Sequence, residues 1–140
     1  MRVYYIFLVK KSVYDITKNN PEKLYKTLES IYLLDKEDMY LGYKMFDKIC
    51  KCLPKNNFNK LVRDTNIENL CYSNNKNTHI INDFLNNEVT KMIIKNSHIV
   101  VKSNSIYPTL FNSIKSIPNL FVCDFVNMDY FYLKKVNYIR

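Results

Sequence analysis

Glycine occurs once in this 140-residue chain, at Gly42, tryptophan not at all, histidine twice and proline four times. The shortage of glycine excludes a Walker loop and a dinucleotide fingerprint, because both need several glycines to let backbone amides approach phosphate. The histidines, His79 and His98, have no second histidine at i+4 and no cysteine pair beside them, so neither fits the spacing of a metal site. Both are expected as solvated surface residues. Long apolar runs are missing too: Val3 to Val9 is the longest near the start, far below the roughly 18 residues of a membrane span. With no signal-peptide pattern, the chain is expected to be soluble and cytoplasmic.

Cysteine is present but sparse, at Cys50, Cys52, Cys71 and Cys123, and reduced, small apolar side chains are the simplest reading. Cys50 and Cys52 form a C-x-C inside a helical pattern, where residues two apart point away from one another and cannot share a metal. Lys plus Arg exceed Asp plus Glu by 21 to 13, a net charge of +8. That excess invites a nucleic-acid reading. It is discounted because Asn, Lys, Ile and Tyr are abundant together, as a genome biased towards A and T produces. The lysines are also scattered, with only Lys10–Lys11 and Lys134–Lys135 adjacent, and scattered charge is usually a solvated face.

A single domain over 1–140 is expected, of α+β class: a small, mostly antiparallel sheet packed against helices in the order β-α-α-(α)-β-β-α-β-β. Arg2 to Lys10 is aromatic, β-branched and nearly continuous in apolarity, which predicts a strand that is central or covered on both faces. Ser12 to Asn20 reads as a connector. A helix follows, capped by Asn20 with Pro21 in its first position, burying Leu24, Leu28, Ile31 and Tyr32. A second helix opens at Asp35, with Asp38 three residues on, and stops before Pro54, with Met39, Tyr43, Phe46, Ile49 and Leu53 on one face. Gly42 lies inside it at a cost of about 1 kcal/mol relative to alanine, best explained by a close helix crossing. Lys55 to Asn87 is punctuated by paired asparagines and predicts loose packing, with a short helix carrying Ile80, Ile81, Phe84 and Leu85. After it come a hairpin turning at Asn96 and Ser97, a helix with Leu110, Phe111 and Ile114 ended before Pro118, and a closing hairpin around Val126 to Asp129.

Chemistry-bearing groups are few. Ser105 and Cys123 lack the glycines of a nucleophile elbow, and Cys123 lies in an apolar strand where core packing is the plainer role. Asp124 and Asp129 face one another across the last hairpin as a conceivable acid and base, although aspartate at a turn more often bonds its own backbone. Tyr14, Tyr40, Tyr72 and Tyr107 fall near element ends, where a protein partner can reach them.

Tyr4 to Lys11, YYIFLVKK, and Lys91 to Leu133, which includes LFNSIKSIPNLFVCDFVNMDYFYL, resemble the sporulation inhibitor of replication family, SirA. The resemblance implies a small non-catalytic protein that needs no cofactor. It would bind the N-terminal domain of the replication initiator DnaA and limit new rounds of chromosome replication as a cell commits to sporulation. It also implies a contact through the segment after the first strand and through the second helix, at Val13, Thr17 and Met45. The family carries aromatic side chains at the first two of these positions and an amide at the third. Tyr14, one position along from Val13, supplies an aromatic anchor instead, with Lys44 and Lys48 steering towards acidic groups. The main rival is a small basic domain that binds nucleic acid directly, which would show a steep salt dependence that an apolar protein contact lacks. An enzyme of unknown type comes last.

Overall fold

The computed structural model describes residues 1–134. In chain order the elements are β1 (Arg2–Val9), α1 (Lys11–Thr17), α2 (Glu22–Tyr32), a 3-10 turn at Lys36–Asp38, α3 (Met39–Ile49), β2 (Cys50–Lys51), α4 (Lys55–Asn66), β3 (Tyr72–Asn75), β4 (Thr78–Asp83), β5 (Glu88–Ile94), β6 (Ile99–Ser103), a 3-10 helix at Thr109–Ser113, β7 (Leu120–Asp124) and β8 (Asp129–Tyr132). All pairings are antiparallel, in one sheet of order β3-β4-β5-β6-β1-β7-β8, with β2 continuing beside the end of β1. The α+β class and the central first strand are as the sequence implies.

Alternation along β1 divides the core into two layers. Tyr4 and Ile6 point to one face, where Met92, Ile99, Val101 and Val122 meet Phe58 and Val62 of α4 and Leu110, Phe111 and Ile114 of the 3-10 helix. Phe7 and Val9 point to the other, against Phe121, Cys123 and the α2 residues Leu24, Tyr25 and Leu28. Both faces of β1 are therefore covered, which is why its sequence shows no polar alternation.

Several local expectations give way to tertiary context. The connector after β1 is helical: Lys11 to Thr17 forms α1, although seven residues cannot hold a helix alone. Its support comes from packing on β8. Asn20 does not cap α2; Pro21 takes the cap position and its carbonyl accepts the Tyr25 N–H at 3.0 Å. On α2 the inner stripe is Leu24, Tyr25 and Leu28, with Tyr32 half exposed at 50%. Asp35 makes no side-chain cap, and α3 ends at Ile49 because Cys50 leaves the helix to pair with Val9. Cys50 and Cys52 thus lie in extended chain, the first buried and the second exposed. Leu53 joins the opposite core layer, while Met39 and Tyr43 face outward. Gly42 is the buried residue of α3, and a Cβ there would lie 2.9 Å from Leu34 Cδ1 in the connector after α2 and 3.7 Å from Ile31 Cγ2 of α2, so the close neighbour is the connector and not a helix crossing.

The Asn-rich stretch is the largest departure. It forms α4 and the β3–β4 hairpin, and Ile80 and Ile81 alternate on β4 instead of sharing a helix face. Phe84 and Leu85 sit at the tip of the β4–β5 turn, 91% and 97% exposed. The Asp83 carboxylate closes that turn, accepting the Asn86 N–H and Nδ2 at 3.1 and 2.8 Å. The two later hairpins form as expected, with Lys95 N–H to His98 O flanking Asn96 and Ser97 and with Asp124 opposite Asp129. The helix between them is a 3-10 helix with Leu110, Phe111 and Ile114 fully buried. Lys135, the second residue of the adjacent pair Lys134–Lys135, lies outside the described residues.

Candidate functional site

α1 has no buried residue and is tied to the body at four points. The Lys10 N–H donates to Ile49 O at 2.9 Å, joining the start of α1 to the end of α3. Val13 packs on the layer that contains Phe7 and Tyr132, and Tyr14 meets the Tyr132 ring edge-on with centroids 4.9 Å apart. Thr17 Oγ1 donates to Val13 O at 2.7 Å, which uses its one proton. The Tyr132 hydroxyl, also 2.7 Å from Thr17 Oγ1, is therefore the donor of that second bond. Burial raises the pKa of Tyr132, so the phenol keeps the proton it donates.

Val13, Tyr14 and Thr17 are thus brought together around Tyr132. Met45 is half-buried on α3, one turn before the Ile49 carbonyl that accepts the Lys10 N–H at the start of α1, and so is linked to the α1 residues only through that bond. Lys44 and Lys48 are exposed beside it, Lys44 with its Nζ 4.7 Å above the Tyr40 ring. Two features of this surface go beyond the sequence reading. Ile16 is 83% exposed on α1, and Met39, Tyr40, Leu41 and Tyr43 leave an apolar strip exposed along α3. Reading Lys11 to Thr17 as a helix would not have singled out Ile16, since three positions after Val13 is nominally the same face; its exposure emerges only from the structure.

The other candidates are occupied by structure. Asp124 is buried, and its carboxylate accepts the Asn127 N–H at 3.2 Å, Asn127 Nδ2 at 2.7 Å and Arg2 Nη1 at 3.4 Å. It is therefore Asp124 that holds the turn, while Asp129 points to solvent, and the two share no reaction centre. Burial pushes the Cys50 thiol up to about 12 and the Cys123 thiol higher, which keeps both protonated and unreactive. Ser105 gives its N–H to Ser103 Oγ and its carbonyl to the Tyr4 hydroxyl. Tyr72 is half-buried against the core with its hydroxyl on His79, and Tyr107 packs edge-on against Phe111. Neither histidine is a solvated surface residue: His79 is fully buried, and His98 is half-buried between Tyr5 and Phe7, each ring 5.8 Å away. Among the described residues no group of three His, Cys, Asp or Glu side chains could hold a metal ion, and no helix is long and apolar enough to cross a membrane.

A comparison with curated proteins finds none that matches the chain. The family model described as sporulation inhibitor of replication protein SirA matches residues 2–137. Because that match includes the central strand, α1, α3 and the closing hairpin in one continuous span, the chain belongs to the SirA family of sporulation inhibitors of replication.

Proposed function

We propose that this protein is a non-catalytic cytoplasmic inhibitor that covers the N-terminal domain of the initiator DnaA, using the surface where α1 meets α3. The observation that supports this reading is the Lys10–Ile49 bond, which ties the start of α1, the helix of Val13, Tyr14 and Thr17, to the end of α3, one turn past Met45, within a chain of the replication-inhibitor family. Tyr14 and Thr17 are already engaged with Tyr132, so they shape the surface, while exposed Ile16 supplies the free apolar contact. Such a contact suits a protein partner, since a central apolar anchor carries most of the energy of an interface.

The test is calorimetric titration with the N-terminal domain of DnaA from the same genome at two salt concentrations. Saturable one-to-one binding that changes little with salt is expected, with Ile16→Asp weakening it by about tenfold or more at an unchanged unfolding temperature. No binding by the folded protein, together with retention of DNA that weakens steeply in salt, would replace this reading with the nucleic-acid one.

A further inference from the structure

On the sheet face that carries Phe7, residues of α2, α3 and the connector between them line a groove of about 430 Å³ beside Gly42. Its floor is aromatic, made by Tyr5 and Phe7 of β1 and by His98, and its walls carry Ile31, Tyr43 and Phe46. This volume falls in the range of roughly 300–1,000 Å³ that holds drug-sized ligands on mostly apolar walls with a few polar groups. Those polar groups have one sign. Lys36 is the charged residue of the lining, and no carboxylate lines it among the described residues. Asp35, Glu37 and Asp38 flank Lys36 in sequence without lining the groove, and Lys36 is in neither ion pair of the described residues. Ser97 Oγ lies 2.7 Å from His98 Nδ1. When that hydroxyl donates, Nε2 carries the ring proton and is left to donate to a ligand. Burial, and then Lys95, lower the pKa of His98, so the ring enters as a neutral donor.

We propose that this groove is a binding site for an amphiphilic anion, with an aromatic or aliphatic body seated on Tyr5, Phe7 and Phe46 and a single acid group at Lys36. The site shares Met39 and Tyr43 with the exposed strip of α3 but has no α1 residue in its lining, and it stands whether or not the partner reading does. Anion selectivity follows from the lining, because a charge-assisted bond to Lys36 favours an acid, whereas an amine of equal chain length meets like charge and no acceptor carboxylate.

The experiment uses the full chain and anilinonaphthalene sulfonate, a fluorescent aromatic anion, displaced in turn by decanoate and by decylamine of the same chain length. Saturable fluorescence at one site per chain is expected, with decanoate displacing about tenfold more effectively than decylamine, the factor that one charge-assisted contact of about 1.4 kcal/mol supplies. Lys36→Glu should abolish or invert that preference at an unchanged unfolding temperature, and Tyr43→Ser, at a position 63% exposed, should weaken probe binding several-fold. Amide shift changes on titration should centre on Tyr5, Tyr32 and His98. Absence of saturable fluorescence, equal displacement by acid and amine, or a preference that survives Lys36→Glu would overturn the proposal.

Discussion

Acid should destabilise this fold through His79, with His98 acting in the same direction. It is fully buried on β4, with Nε2 2.8 Å from Asn59 Oδ1 and Nδ1 2.7 Å from the Tyr72 hydroxyl, while Asn59 Nδ2 donates to Asn77 Oδ1 at 2.7 Å. Because Oδ1 only accepts, Nε2 must carry the hydrogen and Nδ1 must accept from Tyr72, so the site is built for a neutral ring. Burial, assisted by Arg63, lowers its pKa from 6.5 to about 4. The unfolded chain takes up the proton near pH 6.5 and the folded chain resists until about pH 4. Stability from this group is therefore complete above pH 6.5 and declines as the pH falls through that window. Linkage puts the loss between pH 7.5 and 4.5 at about 2.5 kcal/mol. Urea unfolding of the wild type and of His79→Gln at both pH values isolates it. The variant should start weaker at pH 7.5 yet lose about 2.5 kcal/mol less on acidification. An equal pH dependence in the two proteins would refute the argument, as would an imidazole of His79 that titrates near 6.5 by NMR.

Gly42→Ala should stay within about 1 kcal/mol of wild type, because the gain in helix propensity offsets a contact with the flexible end of Leu34, whereas Gly42→Leu should lose about 1–3 kcal/mol through overpacking; urea midpoints distinguish the two. Glu88 is buried and its Oε2 accepts from the Thr90 hydroxyl and from both the N–H and hydroxyl of Thr109, so Glu88→Gln should cost about 1–3 kcal/mol by the same assay. Phe111→Ala empties a fully buried ring position packed on Tyr4 and should cost about 3–5 kcal/mol, lowering the unfolding temperature by roughly 10–17 °C.

The parts of the fold that were legible are those where local chemistry and burial agree. β1 reads as central because both its faces are covered, and the Asn96–Ser97 hairpin joins two runs of β-branched residues. The illegible parts depend on distant partners. Lys11 to Thr17 is helical because Tyr132, far along the chain, supplies both a ring and a hydroxyl to it. His79 resembles a surface histidine until Asn59, Tyr72 and Asn74 are seen to converge on it, and asparagines that look like loop punctuation are its hydrogen-bonding shell. At the candidate site, sequence placed Tyr14 near a partner surface, but its packing against Tyr132 and the exposure of Ile16 required the third dimension.

The central position of β1 also sets a timetable. Tyr4 pairs with Val101 and Phe7 with Phe121, so the middle strand of the sheet is synthesised first and meets its neighbours only about a hundred residues later. Until β6 and β7 have been made, the apolar run from Val3 to Val9 has no native strand to join, apart from the short β2, and must be kept from pairing with other chains. A protein wired this way completes its α1 end late, because α1 cannot settle on Tyr132 before β8 is in place.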